Sequence, residues 1–512
     1  MDLLVLFALS FAQATVIALG VLVPATWALD RGWDDSTSTA IGLVVFALVG
    51  WVGFFVYWAN PVLGDVFRVI VLIGGAWMLF RQWRVGLLRR AVWHNLMAIV
   101  GIIPVVTVLM LWAFAGSDLS EPLVTAASRW SHNLPLDNAI PLYFAEHLRQ
   151  GNIPSPMIGD WLSSDRPPLQ TGLFLIFRLP VDGELVYQST ATALQVLVVP
   201  GSYLLARALG GDRTISTVAA ATVMFAPFAL INSIYVWPKM LPAALLCATA
   251  AILLSPRFAI YRLSWKSGAL AGVAAALALG AHGGSAFVIA AFAGLALVLH
   301  RFPRAGFLIS GVAAATLVYL PWMAYQHFAD PPGDRLVKWH LAGAIAPDER
   351  SLPEVLAVSF NEVSVWDWYQ GRKSNLETII GPNSRLVDLA GQAAFAPDAE
   401  ERHRAAGEIR ALQFFHWAPS LGMLSWILWL SPLLLLHAST RVLTLAVWGS
   451  LLVWTVAMFA PGSTIVHQGS LWPQIAILVG FVVASGRLHR SIPVVALVVQ
   501  AAGAILLFGF LA

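Results

Sequence analysis

Apolar runs of about 20 residues recur along almost the whole chain, and nothing else in it restricts the fold so strongly. As a helix, a run of that length matches the hydrocarbon core of a bilayer. In lipid every backbone N–H and C=O must find a partner within the protein, so such runs span as helices. Candidate spans fall near 3–26, 39–58, 65–82, 93–115, 184–206, 214–235, 239–255, 267–282, 284–300, 305–323, 413–435, 442–460, 472–486 and 491–511. The sequence therefore predicts an all-α polytopic membrane protein with about 14 transmembrane helices and extracytoplasmic loops. Composition agrees. The 512 residues are 59% hydrophobic and 11% charged, against about 25% charged in soluble domains. Mean hydropathy is +0.76.

Three exclusions follow. The net charge of +3 is spread over scattered loops and gives nucleic acid no basic surface. Cys247 is the single cysteine, so there is no intrachain disulfide and no thiolate metal site. The first apolar run has no basic leader and is followed by DRGWDDSTS with no small-residue cleavage site. It is expected to stay as a helix, not to be removed as a signal peptide.

The short loops set an orientation. RQWRVGLLRR at 81–90 is rich in arginine, as are 207–213, 257–266, 301–304 and 487–490, with Arg441 alone. Basic loops stay on the cytoplasmic side. Both termini and the loop 116–168 are then expected outside. Five regions follow: N-terminal spans 1–115, a first large extracytoplasmic loop 116–183, central spans 184–324, an extracytoplasmic segment 325–412, and C-terminal spans 413–512. The segment 325–412 holds 13 of the 27 acidic residues, and none follows Glu408. A helix is expected to start at Pro397-Asp398. The piece LQTGLFLIFRLP at 169–180 is too short to span and is expected to be re-entrant or interfacial. Abundant Gly and Ala in the spans suit close helix packing in lipid.

The loop DNAIPLYFAEHLRQGNIPSPMIGDWLSSDRPPLQ, from Asp137 to Gln170, concentrates chemistry at the membrane surface. Asp137 opens a helical run. It suits an N-cap, and equally a general base taking a proton from an attacking hydroxyl. Asp165-Arg166 precedes Pro167-Pro168, which stiffen the backbone where the chain re-enters the membrane. The planar guanidinium of Arg166 suits a phosphate. Such a pair also fits an interfacial anchor.

The order Asp137, FAEHLRQG, GDWLSSDRPPLQTG resembles the first extracytoplasmic loop of C-type (GT-C) membrane glycosyltransferases. The resemblance is to the aminoarabinose-transferase and protein mannosyltransferase branch. It places Asp137 at the catalytic-base position and Asp165-Arg166 at an acidic–basic pair before Pro-Pro-Leu. Asp-Arg stands here where Glu-Lys or Asp-His is commoner. The loop follows the fourth span, whereas in many members it follows the first. Either three helices precede the shared bundle, or Asp34-Asp35 after the first span is the rival acidic pair. The arginines at 81–90 put that rival on the cytoplasmic side.

The resemblance implies a sugar donor carried on a polyprenyl phosphate. It also implies a lipid, glycan or protein acceptor, with membrane lipids around the protein and the reaction on the outer face. Asp137 and Asp165 would be the catalytic carboxylates. Arg166, Lys239 in YVWPKMLP and His282 in GAHGGS would meet the donor phosphate. Lys239 equally suits a snorkelling interfacial lysine, and His282 a structural histidine. His467 and Gln468 in GSTIVHQGSLWP are candidates for acceptor or phosphate contacts, or belong to a polar turn. Asp334, Arg335, Lys338 and His340 form a further polar cluster at the start of the acidic segment.

No HExxH, no paired histidines at ligand spacing and no acidic calcium loop occur, so no cofactor or tight metal is expected. A weakly held divalent cation stays open. No GxGxxG or P-loop pattern supports a nucleotide-sugar donor. Two other functions fit a chain of this kind. One is a flippase or transporter for polyprenyl-linked glycans, allowed by Gly- and Pro-interrupted spans. The other is an O-antigen ligase-like enzyme with a diphosphate-linked donor. High Gly, Ala and Arg usage suggests a bacterial inner membrane, with the site on the periplasmic face.

Overall fold

The computed structural model describes residues 2–87, 96–129, 134–254, 264–299, 304–380, 384–415, 427–463, 471–505 and 508. Among the described residues there is no strand, only an isolated bridge between Ile158 and Trp161. The chain opens with α1 (Asp2–Asp30), α2 (Asp35–Ala59), α3 (Pro61–Arg84) and α4 (Met97–Phe114). Next come α5 (Ile140–Gln150), α6 (Leu169–Phe177) and α7 (Glu184–Ala208). The centre holds α8 (Arg213–Met224), α9 (Pro227–Tyr235), α10 (Met240–Leu254), α11 (Trp265–Ala281), α12 (Ser285–Val298) and α13 (Ala305–Ala324). The acidic segment contains α14 (Val365–Ile380) and α15 (Ala399–Phe415) among shorter helices. The chain closes with α16 (Ala438–Ala457), α17 (Trp472–Leu488) and α18 (Ser491–Ile505).

Among the described residues seven helices are long and apolar enough to cross a membrane: α1 to α4, α7, α13 and α16. The pair α8 and α9, bent by 65° at Phe225-Ala226, would be an eighth. The all-helical, membrane-spanning character is thus present, but on fewer full-length helices than 14. Five expected spans, α10, α11, α12, α17 and α18, are shorter apolar helices. The 15 residues of α10 reach about 22 Å, less than a bilayer core of about 30 Å. Of the expected span 413–435, residues 416–426 lie outside those described.

Small residues let the helices approach. A Cβ on Gly272 of α11 would stand 2.0 Å from the Gly311 carbonyl of α13, and one on Gly268 would stand 2.2 Å from the Phe307 carbonyl. Two backbones therefore touch where side chains are absent. Gly272→Val is expected to destabilise the fold by about 1–3 kcal/mol through overpacking. Thermal unfolding in detergent checks this, with Gly294→Val as control, since Gly294 faces open space.

α6 does not span. It is buried along its length and dips beside α2, where a Cβ on Gly172 would meet the Gly50 carbonyl at 2.1 Å. Both its ends return to the side of α5. Arg166 precedes it and pairs with Asp137. Asp182 follows it and pairs with Arg149 at 3.0 Å. The two ends of α6 are thus tied to the two ends of α5, an arrangement open to an interfacial as well as a re-entrant helix.

The long helix α7 separates two faces. Near its start, the Tyr187 hydroxyl donates to the Asn138 carbonyl at 3.0 Å. At its far end Arg207 faces Asp35 at 3.5 Å. Tyr187 and Arg207 are separated by about 30 Å of helix. Asp34-Asp35 therefore lies far from Asp137, and Asp34 caps α2 through Ser36 and Thr37. Arg487 and Arg490 join Arg207 on that far face, bonded to Leu209 and Asp212.

The acidic segment is tied to the bundle on the other side. Asn375 of α14 donates to the Met458 carbonyl at 2.9 Å and accepts from the Ser463 N–H at 3.0 Å. α15 starts directly after Asp398, whose carboxylate accepts from the Glu400 N–H. It packs against α9.

Candidate active site

Asp137 sits on a 3-10 turn, Leu136–Ala139, held from three directions. Tyr235 hydrogen-bonds the Pro135 carbonyl, Tyr187 the Asn138 carbonyl, and the Asn138 amide donates to Leu123. Arg166 leaves the end of a second 3-10 turn, Ser163–Asp165, just before Pro167-Pro168. Its Nη2 donates to Asp137 Oδ2 at 2.9 Å. The guanidinium lies 4.1 Å from the centroid of the Trp161 ring, a cation–π contact. The Arg166 and Asp137 side chains are 15% and 21% exposed, so a ligand can reach the pair.

Lys239 comes to the same place by a break in the helices. Val236 adopts φ 56°, a left-handed conformation, and ends α9. Trp237 and Pro238 carry the chain to Lys239, and α10 begins at Met240. Lys239 Nζ stands 2.7 Å from His282 Nε2 and 4.0 Å from the Trp237 ring centroid. His282 Nδ1 accepts from the Gly284 N–H at 3.0 Å. Lys239 lies within electrostatic reach of both Asp137 and Arg166.

The structure thus gathers four of the candidate residues: Asp137, Arg166, Lys239 and His282. Asp165 is placed differently. Its carboxylate is 2% exposed and turned inward. It accepts from the Leu162 N–H at 2.9 Å and from Arg335 at 3.3 Å. Burial pushes its carboxyl above the usual range, and the Leu162 N–H, Arg335 and Arg166 offset part of that. His467 and Gln468 lie outside the described residues.

Several residues that position the site were not singled out in the sequence. Gln195 Oε1 accepts from the N–H groups of Met240 and Leu241 at 3.0 and 3.2 Å. Its amide donates to Gln170, and Gln170 donates to the Val236 carbonyl. Gln188 donates to Ile234. These glutamines satisfy the backbone groups freed by the break before Lys239, which lipid cannot satisfy. A signal was present: Gln188 and Gln195 are seven apart, on one face of an apolar helix. Gln195→Leu is expected to cost about 1–3 kcal/mol for each N–H left unpaired. Loss of folded yield on size-exclusion chromatography, against Gln195→Glu, would register it.

Arg335 was noted only as part of a polar cluster. It is 1% exposed and bonds Asp160, Asp165 and the Ile345 carbonyl. It also lies 5.1 Å from the Trp161 ring centroid, so Arg166 and Arg335 both contact Trp161. Among the described residues no three His, Cys, Asp or Glu side chains converge as a metal site.

Comparisons with protein-family models, with curated proteins and with solved structures each returned no match for this chain.

Proposed function

We propose that this protein is a GT-C-like glycosyltransferase, moving a sugar from a polyprenyl-phosphate donor to a lipid, glycan or protein acceptor at the outer membrane face. The observation that carries this reading is the convergence of the partly exposed Asp137–Arg166 pair with the buried Lys239 and its neighbour His282 in an apolar bundle. A carboxylate beside a cationic guanidinium is what the chemistry needs. The base takes the acceptor's hydroxyl proton, the hydroxyl oxygen bonds to the anomeric carbon, and the bond to the phosphate oxygen breaks. The leaving phosphate gains negative charge, which fixed donors stabilise more in the transition state than in the ground state.

Arg166 is bonded to Asp137. A donor phosphate would compete for that guanidinium and release a carboxylate oxygen toward the acceptor. Lys239 and His282 would form the second side of the phosphate site. Asp165 acts at one remove, holding the turn that presents Arg166. Attack from the face opposite the phosphate inverts the anomeric carbon. The arginine-lined far face would be cytoplasmic.

A second reading rests on the broken span. The 65° bend between α8 and α9, and the irregular backbone at Lys239, are devices that transporters also use at ligand sites. A polyprenyl-linked glycan flippase would use Arg166 and the neighbouring donors to hold the phosphate. Purified protein in proteoliposomes with labelled polyprenyl-phosphate sugars separates the two. Release of free polyprenyl phosphate supports transfer. Movement of intact donor between leaflets, with no release, supports the flippase.

A further inference from the structure

We propose that a cavity beyond the Asp137–Arg166 pair is a binding subsite for a neutral sugar. It lies where the end of α2 meets the end of α13 and has a volume of about 320 Å3. Drug-sized and cofactor pockets start at about this size. Its chemistry comes from Tyr57, Trp58, Ser155, Ser163, Tyr325 and Asp330.

The fold delivers these residues by a change of helix type. α13 continues into a π-helical turn, Tyr325–Ala329, which places Asp330 against the loop that carries Ser155 and Ser163. Such turns are frequent at functional sites. Asp330 is only 7% exposed, yet it lines the cavity. Oδ1 accepts from the Ser155 hydroxyl at 3.0 Å. Oδ2 accepts from the Ser163 hydroxyl at 2.6 Å and the Ser164 N–H at 3.0 Å. Ser163 gives its one proton to Asp330, so the Tyr325 hydroxyl, 2.6 Å away, donates to Ser163.

That network leaves acceptors to spare. A carboxylate has about four lone-pair sites, and protein donors use three here. The hydroxyl oxygens of Ser155 and Tyr325 keep unused lone pairs as well. Every donor in the network points at a protein atom, so a ligand has to bring its own O–H groups. The apolar lining includes Trp58, 43% exposed and edge-on to Tyr325 at 5.2 Å, together with Pro61, Leu148 and Ile153. An aromatic face beside a set of acceptors matches a pyranose, which has an apolar C–H face and a rim of hydroxyls. A hard divalent cation fits poorly, since it wants about six oxygen ligands and the cavity lining supplies one carboxylate.

Ser163 is three residues before Arg166, so the cavity and the ion pair lie within roughly 10 Å along the chain. In the transferase proposed above, this cavity would hold a sugar of the acceptor. That role rests on the transferase reading, while sugar binding itself does not.

Saturation-transfer NMR on the full chain in nanodiscs, with a panel of neutral mono- and disaccharides, tests the proposal. Trp58→Leu and Ser155→Ala are expected to weaken binding about tenfold each, the equivalent of one good contact. Both should elute as the unaltered protein does. No saccharide signal in the unaltered protein, or equal signals in it and both variants, overturns the subsite. So does a preference for quaternary ammonium ions over every sugar. Polyprenyl-dependent transfer with the same acceptor KM in both variants would sink the subsite and spare the transferase. Sugar binding that Trp58→Leu abolishes, without turnover of any polyprenyl donor, would sink the transferase and spare the subsite.

Discussion

Asp137→Asn is expected to lower sugar transfer by about 10²–10⁴-fold, the usual contribution of a positioned general base. The substitution nearly preserves shape. The amide oxygen that replaces the carboxylate oxygen can still accept from Arg166, and the turn is held by Tyr235, Tyr187 and Asn138 and not by the carboxylate. Folding and donor binding should therefore survive while proton removal does not. The assay is release of polyprenyl phosphate from a panel of radiolabelled polyprenyl-phosphate sugars, alongside binding of the same donors. Loss of turnover with donor binding retained identifies the base. Undiminished turnover in a normally folded Asp137→Asn protein removes Asp137 from the chemistry. Arg166→Lys gives the complementary pattern. It keeps the charge but loses the planar fork and the stacking on Trp161. Its effect should fall on kcat and KM together, because Arg166 would hold the phosphate in both ground and transition states.

The sequence made the outline of this arrangement legible, because two signals act locally. Apolar length shows which segments belong in lipid, and a Pro-Pro step beside charges shows where the chain meets the surface. Asp137 and Arg166 are 29 residues apart in the chain, yet one loop carries both. The helix count was less legible. Hydropathy does not register a left-handed Val236 or a bend at Phe225-Ala226, so runs that looked uniform break into shorter helices. The partner of Asp165 was not legible at all. Arg166 is its neighbour in sequence, but a 3-10 turn sends the two side chains apart, and the cation Asp165 meets is 170 residues away. Lys239 and His282 were each open to an ordinary structural reading. Their pairing depends on two helix ends meeting, which no local pattern encodes. The glutamines are the clearest missed signal. In an apolar helix a glutamine needs partners, and here those partners are backbone groups at the break.

Arg335→Leu is expected to destabilise the protein by about 3–5 kcal/mol at neutral pH, the cost of leaving one member of a buried ion pair alone. Asp165 and Arg335 are both almost fully buried, and Asp165 has no surface to retreat to. The pH dependence identifies the cause. Burial already raises the Asp165 carboxyl above its unfolded value. Stability linked to a raised carboxyl is present in full below the unfolded pKa and falls as pH rises through the folded one. Removing Arg335 raises the folded value further. The variant's deficit should therefore be smallest in acid, where Asp165 is protonated folded or unfolded, and should grow as pH rises toward neutrality. Part of the deficit will persist in acid, since Arg335 also bonds the Asp160 and Ile345 carbonyls. Asp165→Asn combined with Arg335→Leu should lose the Asp165 share of the pH-dependent part and recover some stability at neutral pH, leaving the smaller share that comes from the exposed Asp160 carboxylate, which Arg335 holds below the usual range. Thermal unfolding across pH, read on the single and double variants, measures both. A pH-independent deficit that the double variant does not relieve would mean that Arg335 supports the Arg166 turn through packing and carbonyl contacts, with the Asp165 charge playing no part.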